Sequence, residues 1–419
     1  MMTITELQQR YAAHPNVEAM SGLLKNPSVR TLFCGGLCAS AASLFSSVLV
    51  QRGEFPFVFI LGDLEEAGYF YHDLTQVLGT DKVLFFPSSF RRAIKYGQKD
   101  AANEILRTEV LSRLQKGEEG LCVVTYPDAL AEKVVSRKEL GDKTLKLHSG
   151  ENVDTNFIME VLRSYGFEYV DYVYEPGQYA VRGSIIDVFS FSSEFPYRID
   201  FFGDEVESIR TFEVETQLSK EKKDSIVIVP DLSRSLEQGG ASGMVSFLDF
   251  LSADTVLAMR DLLWLRERIQ TVHDETLTPQ AIAAREAEES GCITLDGKLI
   301  DGSEFTLRAL DFRRMEFGNK PTGTPDATIT FDTSAQPIFR KNFDMVAESF
   351  KEYMEKGYAL YICSDSMKQT DRIRAIFEDR GDQIAFTAVE RTLHEGFVDH
   401  ALRVCVFTDH QIFDRFHKY

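Results

Sequence analysis

The period of the apolar residues changes several times along the chain, and each change marks an element. Between residues 29 and 125, short continuous apolar runs alternate with stretches whose apolar positions recur every three or four residues. Val29 to Cys34, Phe55 to Leu61, Val83 to Phe86 and Leu121 to Thr125 read as strands. Ala39 to Val50, Leu64 to Leu78 and about Asn103 to Gln115 read as helices. The clearest is Leu64 to Leu78, where Ala67, Phe70, Tyr71, Leu74, Val77 and Leu78 form one stripe. Strands alternating with helices at this spacing predict βαβ units and a parallel sheet. Residues 1 to 30 read as a helical segment, with Leu7, Tyr11 and Val17 to Leu24 available for packing.

After a helix from Asn156 to Tyr165 and a strand around Tyr169 to Tyr174, the period falls to two. Val181 to Phe189 reads as a single strand, Ser190 to Pro196 as turn chemistry, and Tyr197 to Phe202 as the next strand of a meander. Gly203-Asp204 then predicts a tight hairpin, since glycine accepts the positive φ that such turns demand. Alternation puts Tyr197, Ile199 and Phe201 on the core face. It leaves Arg198, Asp200 and Phe202 on the other, with Arg182 on the neighbouring strand. Arginine beside an aromatic ring is the composition of a protein-binding hot spot. Taken alone, these residues better fit an Arg198 paired with Asp200 or a glutamate and a Phe202 packed under a loop.

Ser219 to Asp224 reads as a charged link before a strand at Ile226 to Val229, the expected return to the first α/β unit. Thr255 to Met259 reads as a strand, Leu262 to Ile269 as a helix carrying Trp264, and Thr276 to Glu289 as an exposed helix. Pro321 to Pro325 holds two prolines and a glycine and predicts a linker. Beyond it, helices at Phe343 to Met354 and Met367 to Arg380 and strands at Tyr358 to Cys363, Ile384 to Thr387 and Val404 to Thr408 predict a small α/β domain. The expected layout is 1–130 and 219–320 for one α/β domain, 131–218 for an α+β domain within it, 321–339 for a linker and 340–419 for the last domain.

At 419 residues the chain exceeds what one core usually serves. Its 46 Lys and Arg against 65 Asp and Glu give a formal charge of −19, so it is not built to coat a phosphate backbone, and DNA contact would be local or a partner's. Arg91, Arg92 and Lys95 form only a modest basic cluster, of the kind that usually lies on a solvated face. No apolar run reaches membrane-spanning length, and MMTITELQQRYAAHP lacks the plan of a signal peptide, so a cytoplasmic protein without membrane attachment is expected. Cysteines and histidines are scattered without metal-ligand spacing. No Ser/His/Asp, Cys/His or paired-carboxylate constellation suggests catalysis, and Asp187 and Asp200 read as ion-pair partners on strands.

The loop after the first strand reads Gly35-Gly36-Leu37-Cys38-Ala39-Ser40-Ala41-Ala42. A nucleotide-binding P-loop needs a lysine for the β/γ charge and a hydroxyl for magnesium, and here those two places hold Ala41 and Ala42. Several kcal/mol of charge compensation for a triphosphate would be missing. By itself this octet fits an ordinary glycine-rich turn.

EPGQYAVRGSIIDVF at 175–189 and PYRIDFFGDEVESIR at 196–210 resemble the signature of domain 2 shared by the repair helicase UvrB and the bacterial transcription-repair coupling factor. The resemblance implies that this domain docks the excinuclease subunit UvrA through Arg182, Arg198 and Phe202. It implies a degenerate P-loop NTPase (RecA-like) parallel-sheet domain with an inserted α+β domain, followed by a small separate α/β domain. Gly35, Gly36, Ser40, Ala41 and Ala42 then become a relic of a nucleotide loop that is not expected to bind. The tyrosine-rich DNA-clamping hairpin of UvrB has no counterpart in PSSFRRAIKYGQKDAAN at 87–103, so the coupling factor is the closer likeness and a UvrB-type damage-verifying helicase the alternative. That family continues into an RNA-polymerase-binding domain and a double-stranded DNA translocase. The expectation is therefore a monomeric N-terminal fragment without cofactor, ATP and magnesium belonging to the later motor, and with its UvrA surface open to masking by a C-terminal domain.

Overall fold

The computed structural model describes residues 1–89, 101–233, 243–276, 278 and 297–415. The Arg91, Arg92 and Lys95 cluster and nearly all of the helix expected at 276–289 lie outside them. Among the described residues no helix is long and apolar enough to cross a membrane.

Seven parallel strands form the first sheet, in the order Ala327–Thr330, Thr31–Gly35, Arg313–Gly318, Val256–Met259, Phe57–Ile60, Cys122–Thr125 and Val83–Phe85. Every residue of Phe57–Ile60, Cys122–Thr125 and Val256–Met259 is buried, as parallel strands covered on both faces require. The helix Leu64–Leu78 forms as its stripe predicts. The Asp63 side chain caps it by accepting from the Glu66 amide, and Gly79 ends it at φ 79°. The Arg313–Gly318 strand has no counterpart in the sequence reading, because Arg314 and Glu316 lie buried in it.

Residues 145–228 make a second layer with its own core of Leu147, Ile158, Leu162, Ile186, Ile199, Phe201, Val206, Ile209, Ile226 and Ile228. Its six-stranded sheet runs Ser219–Lys223, Glu205–Phe212, Tyr197–Phe202, Ile185–Val188, Gln178–Arg182 and Glu168–Tyr169, antiparallel except for the last pair. Three expectations change. The strand read at 181–189 is a hairpin, turned at Gly183 with φ 61° and Ser184. Of the strand expected around 169–174 only Tyr169 lies in a paired strand, Glu168–Tyr169. The charged link at 219–224 is an edge strand, where exposed lysines are at home, and Ser225–Ile228 pairs with Leu145–His148. The layer's core therefore extends past the boundary expected at 218 and begins later than 131, since Ala131, Val134, Val135 and Leu140 pack in the first core.

The third sheet runs Met2–Thr3, Thr387–Glu390, Ala359–Ser364, Val404–Thr408, Phe397–Asp399 and Thr333–Ala335. Its first strand comes from the opposite end of the chain, which ties residues 2–3 to 389–390. The segment expected as a linker is structured: Ala327–Thr330 edges the first sheet, Thr333–Ala335 edges the third, and only Phe331 and Asp332 stand between. The last domain is not separate either. Tyr361, Cys363, Val389, Phe397 and Val406 share the hydrophobic cluster that fills the first sheet.

Candidate functional site

Strand register decides what the outer face of the second sheet presents. Ala180, Asp187, Arg198 and Arg210 stand side by side across four strands, and Arg182, Ile185, Asp200 and Ser208 form the next row. Asp187 is the hub. Its buried carboxylate accepts Arg198 Nε at 2.8 Å on Oδ1 and Arg198 Nη2 at 2.9 Å on Oδ2, and Arg182 Nη2 also donates to Oδ2. Two guanidiniums around one carboxylate are charge-assisted bonds, the strong kind, and the bond to Asp187 raises the Arg198 pKa.

Beneath this row lies a small apolar pad of Val173, Ala180, Phe189 and Phe212. The Arg198 guanidinium rests on it, 4.4 Å from the centre of the Phe212 ring, and Arg198 Nη1 donates to the Gln217 carbonyl at 2.9 Å. Only 14% of the Arg198 side chain is exposed, against 34% for Arg182. Val173 plugs the pad, and alternation about it turns Tyr172 and Tyr174 outward. The Arg182 guanidinium sits 4.9 Å from the centre of the Tyr172 ring, a cation–π contact that leaves Tyr172 51% exposed.

Phe202 is 77% exposed at the end of its strand. It neither packs under a loop nor touches Arg198, from which four residues of extended chain separate it by about 13 Å. Asp200 does not pair with Arg198 but accepts from Arg210 Nη2 and, at 3.0 Å, from Ser208 Oγ. Of the three residues expected at the site, Phe202 and Arg182 stand open and Arg198 lies behind them. Tyr172, Gln217 and Arg210 had not been singled out. A short alternating run, Tyr172-Val173-Tyr174, was the available signal for the first of these.

The glycine-rich loop presents the opposite picture. Gly36 has φ 88°, and a Cβ there would meet the Phe331 carbonyl oxygen at 1.9 Å. The Thr333 hydroxyl donates to the Gly36 carbonyl at 2.5 Å and accepts from the Cys38 amide at 3.1 Å. The Ser40 amide donates to the Glu395 carbonyl at 3.3 Å, and the Glu395 amide donates back to Ser40 Oγ at 3.0 Å. Ser40 and Ser43 hydroxyls each donate at 2.7 Å to Oδ2 of the buried Asp73, whose Oδ1 accepts the His394 amide at 2.7 Å. Burial lifts the Asp73 carboxyl to about 6, the two serine bonds opposing the rise. The His394 ring stacks on Tyr69, with centroids 3.6 Å apart. Gly35 ends its strand, Ala41 is buried, and Ala42 lines a cavity of about 870 Å³ shared with Asp63, Glu66, Asp261 and Lys320. Among the described residues no group of three or more His, Cys, Asp or Glu is placed to hold a metal ion.

Residues 145–233 match the family described as the UvrB interaction domain, a span that takes in the whole second layer. The chain is 28% identical over 198 residues to the transcription-repair-coupling factor of Escherichia coli, covering 47% of this chain and 17% of that protein. To its counterpart in Bacillus subtilis it is 30% identical over 229 residues, 52% of this chain and 19% of that one. A longer, weaker similarity, 20% over 445 residues, links 90% of the chain to 38% of the Staphylococcus aureus protein. The chain thus spans well under half the length of the curated relatives it matches. With a match to the UvrB interaction domain at its centre, the chain is similar to the transcription-repair-coupling factors.

Proposed function

We propose that this chain is a docking platform for UvrA in transcription-coupled nucleotide excision repair, acting through the face that carries Arg182, Arg198 and Phe202. The observation that carries the reading is an open phenylalanine on the same sheet face as an arginine held by a buried carboxylate, both within the UvrB interaction domain. Aromatic and guanidinium anchors of this kind supply most of the energy at protein interfaces. Titration of purified UvrA into the chain tests it: Arg182→Ala, Arg198→Ala and Phe202→Ala should each weaken binding by about 2 kcal/mol, roughly thirty-fold. Binding that survives all three changes removes the assignment.

The Gly35–Ala42 loop, on this reading, holds no nucleotide and the chain has no ATPase activity of its own. Supporting it are Ala41 and Ala42 in place of the lysine and hydroxyl, and amides of Cys38 and Ser40 already bound to Thr333 and Glu395. A carboxylate, Asp73, also stands where added negative charge would be repelled. Calorimetric titration with Mg-ATP should give no saturable heat, and a saturable isotherm would favour the UvrB-type helicase instead. ATP, magnesium, double-stranded DNA and the displacement of stalled RNA polymerase then belong to the parts of the relatives outside the matched portion, in a cytoplasmic protein.

A further inference from the structure

The face assigned to UvrA divides into residues that can meet a partner and one that cannot do so without moving. Arg198 has its Nε, Nη1 and Nη2 all committed, to Asp187 twice and to the Gln217 carbonyl, with Phe212 underneath. Arg182 shares a single oxygen of Asp187 and spreads over Tyr172 instead. The two facts are linked. Because Arg198 takes Oδ1 and part of Oδ2, the carboxylate has no second oxygen to offer Arg182, whose guanidinium is left standing outward on the tyrosine ring.

We infer that Arg198 is a positioning residue, that the surface which meets the partner at this end of the sheet is the Tyr172–Arg182 stack, and that the stack receives a carboxylate-bearing patch of the partner. This rests on the UvrA reading above and adds Tyr172 to it. Arg182 keeps donors free of the hub for a carboxylate, and the stacked ring fixes its plane at little entropic cost. Removing Arg198 vacates the oxygens of Asp187, and Arg182 swings in from Tyr172 to occupy them. A lysine at 198 still places a cation on Asp187 but at a single point, so it holds Arg182 out only in part.

UvrA binding to the whole 419-residue chain, followed by calorimetry, separates these roles. Tyr172→Ala should weaken binding roughly ten-fold and Tyr172→Phe hardly at all. Arg182→Ala and Arg198→Ala should each lose roughly thirty-fold, but the double variant no more than either alone, since both remove one stack. Arg198→Lys should fall between wild type and Arg198→Ala. Losses at 182 and 198 that multiply, or an Arg198→Lys variant as weak as Arg198→Ala, would make Arg198 an independent contact and overturn the inference while leaving UvrA docking intact. If Arg198→Ala does not fold, Arg198→Lys and Tyr172→Ala decide alone. A wild-type chain that does not bind UvrA takes down both this inference and the function it rests on.

Discussion

Two buried aspartates sit at the centres of the two regions that matter, and their partners are of different kinds. Asp187 is surrounded by guanidiniums, so its charge is met by charge, and the arginines that meet it remain partly available at the surface. Asp73 is surrounded by two hydroxyls and an amide, neutral donors supplied by the glycine-rich loop, the helix after it and the last domain, and the buried group lines the cavity of about 870 Å³ rather than an outer sheet face. A carboxylate answered by cations organises an outer face; one answered by neutral dipoles seals a joint. Burial raises the Asp73 carboxyl to about 6.

The largest effect belongs to the charged hub. Asp187→Ala removes the shared counter-ion of Arg182 and Arg198 and leaves the less exposed guanidinium over Phe212 uncompensated, a loss of about 3–5 kcal/mol of folding stability by the usual cost of breaking a buried pair. Urea denaturation of the variant measures it. A loss under about 1 kcal/mol would mean that water already screens the pair.

Next in size is the neutral joint, which should respond to pH with a definite sign. The folded carboxyl of Asp73 titrates near 6, above its ordinary 3.8, so between those values the folded chain holds a proton that the unfolded chain has lost. Stability attributable to Asp73 is therefore present at low pH and disappears as pH rises through about 6, a swing of about 3 kcal/mol. Asp73→Asn abolishes the titration while keeping an oxygen for the His394 amide. Its stability relative to wild type should climb between pH 4 and pH 6.5 and level off above; a flat difference would show that the site is hydrated and that the joint is looser than its hydrogen bonds imply.

Third comes the backbone of the same joint. Gly36→Ala places a Cβ against the Phe331 carbonyl and imposes a left-handed φ on alanine, at a cost of roughly 2 kcal/mol. The damage should localise, with faster amide exchange in the Ser40 and Glu395 pair than in the second sheet. Uniform acceleration would show the two regions to be one cooperative unit.

How far these regions were legible differs for physical reasons. The strand Tyr197–Phe202, its turn at Gly203 and its inward face follow from alternation, because one face is solidly apolar. The hairpin at Gly183 was hidden by apolar residues on both sides of a two-residue turn, and the Arg313–Gly318 strand by charged side chains that are buried. The glycine-rich loop shows alanines where a P-loop would carry its lysine and hydroxyl, yet not what packs against it. Asp73 sits on a helix and His394 and Glu395 lie more than three hundred residues further on, and such pairing has no local pattern to betray it. Alternation places Arg198 on its face but not its partner, which is Asp187 rather than the Asp200 or glutamate of the ion-pair reading, because the side of a sheet does not say which carboxylate a long side chain will reach.

The smallest effect tests whether the outer face is one network or two. Asp200 lies one row from Asp187 and Arg210 stands in its row beyond Arg198, yet neither shares a hydrogen bond with it, and Arg210 is more than a third exposed. An ion pair with that much solvent contact contributes under about 1 kcal/mol. Asp200→Asn should therefore leave stability within that margin, and the loss caused by Arg182→Ala should be the same in its presence as in its absence. If the two changes instead prove coupled, Arg210 helps to hold the Asp187 cluster across the strand from Arg198, and the face must be treated as a continuous ladder of charge in which no single carboxylate is the hub.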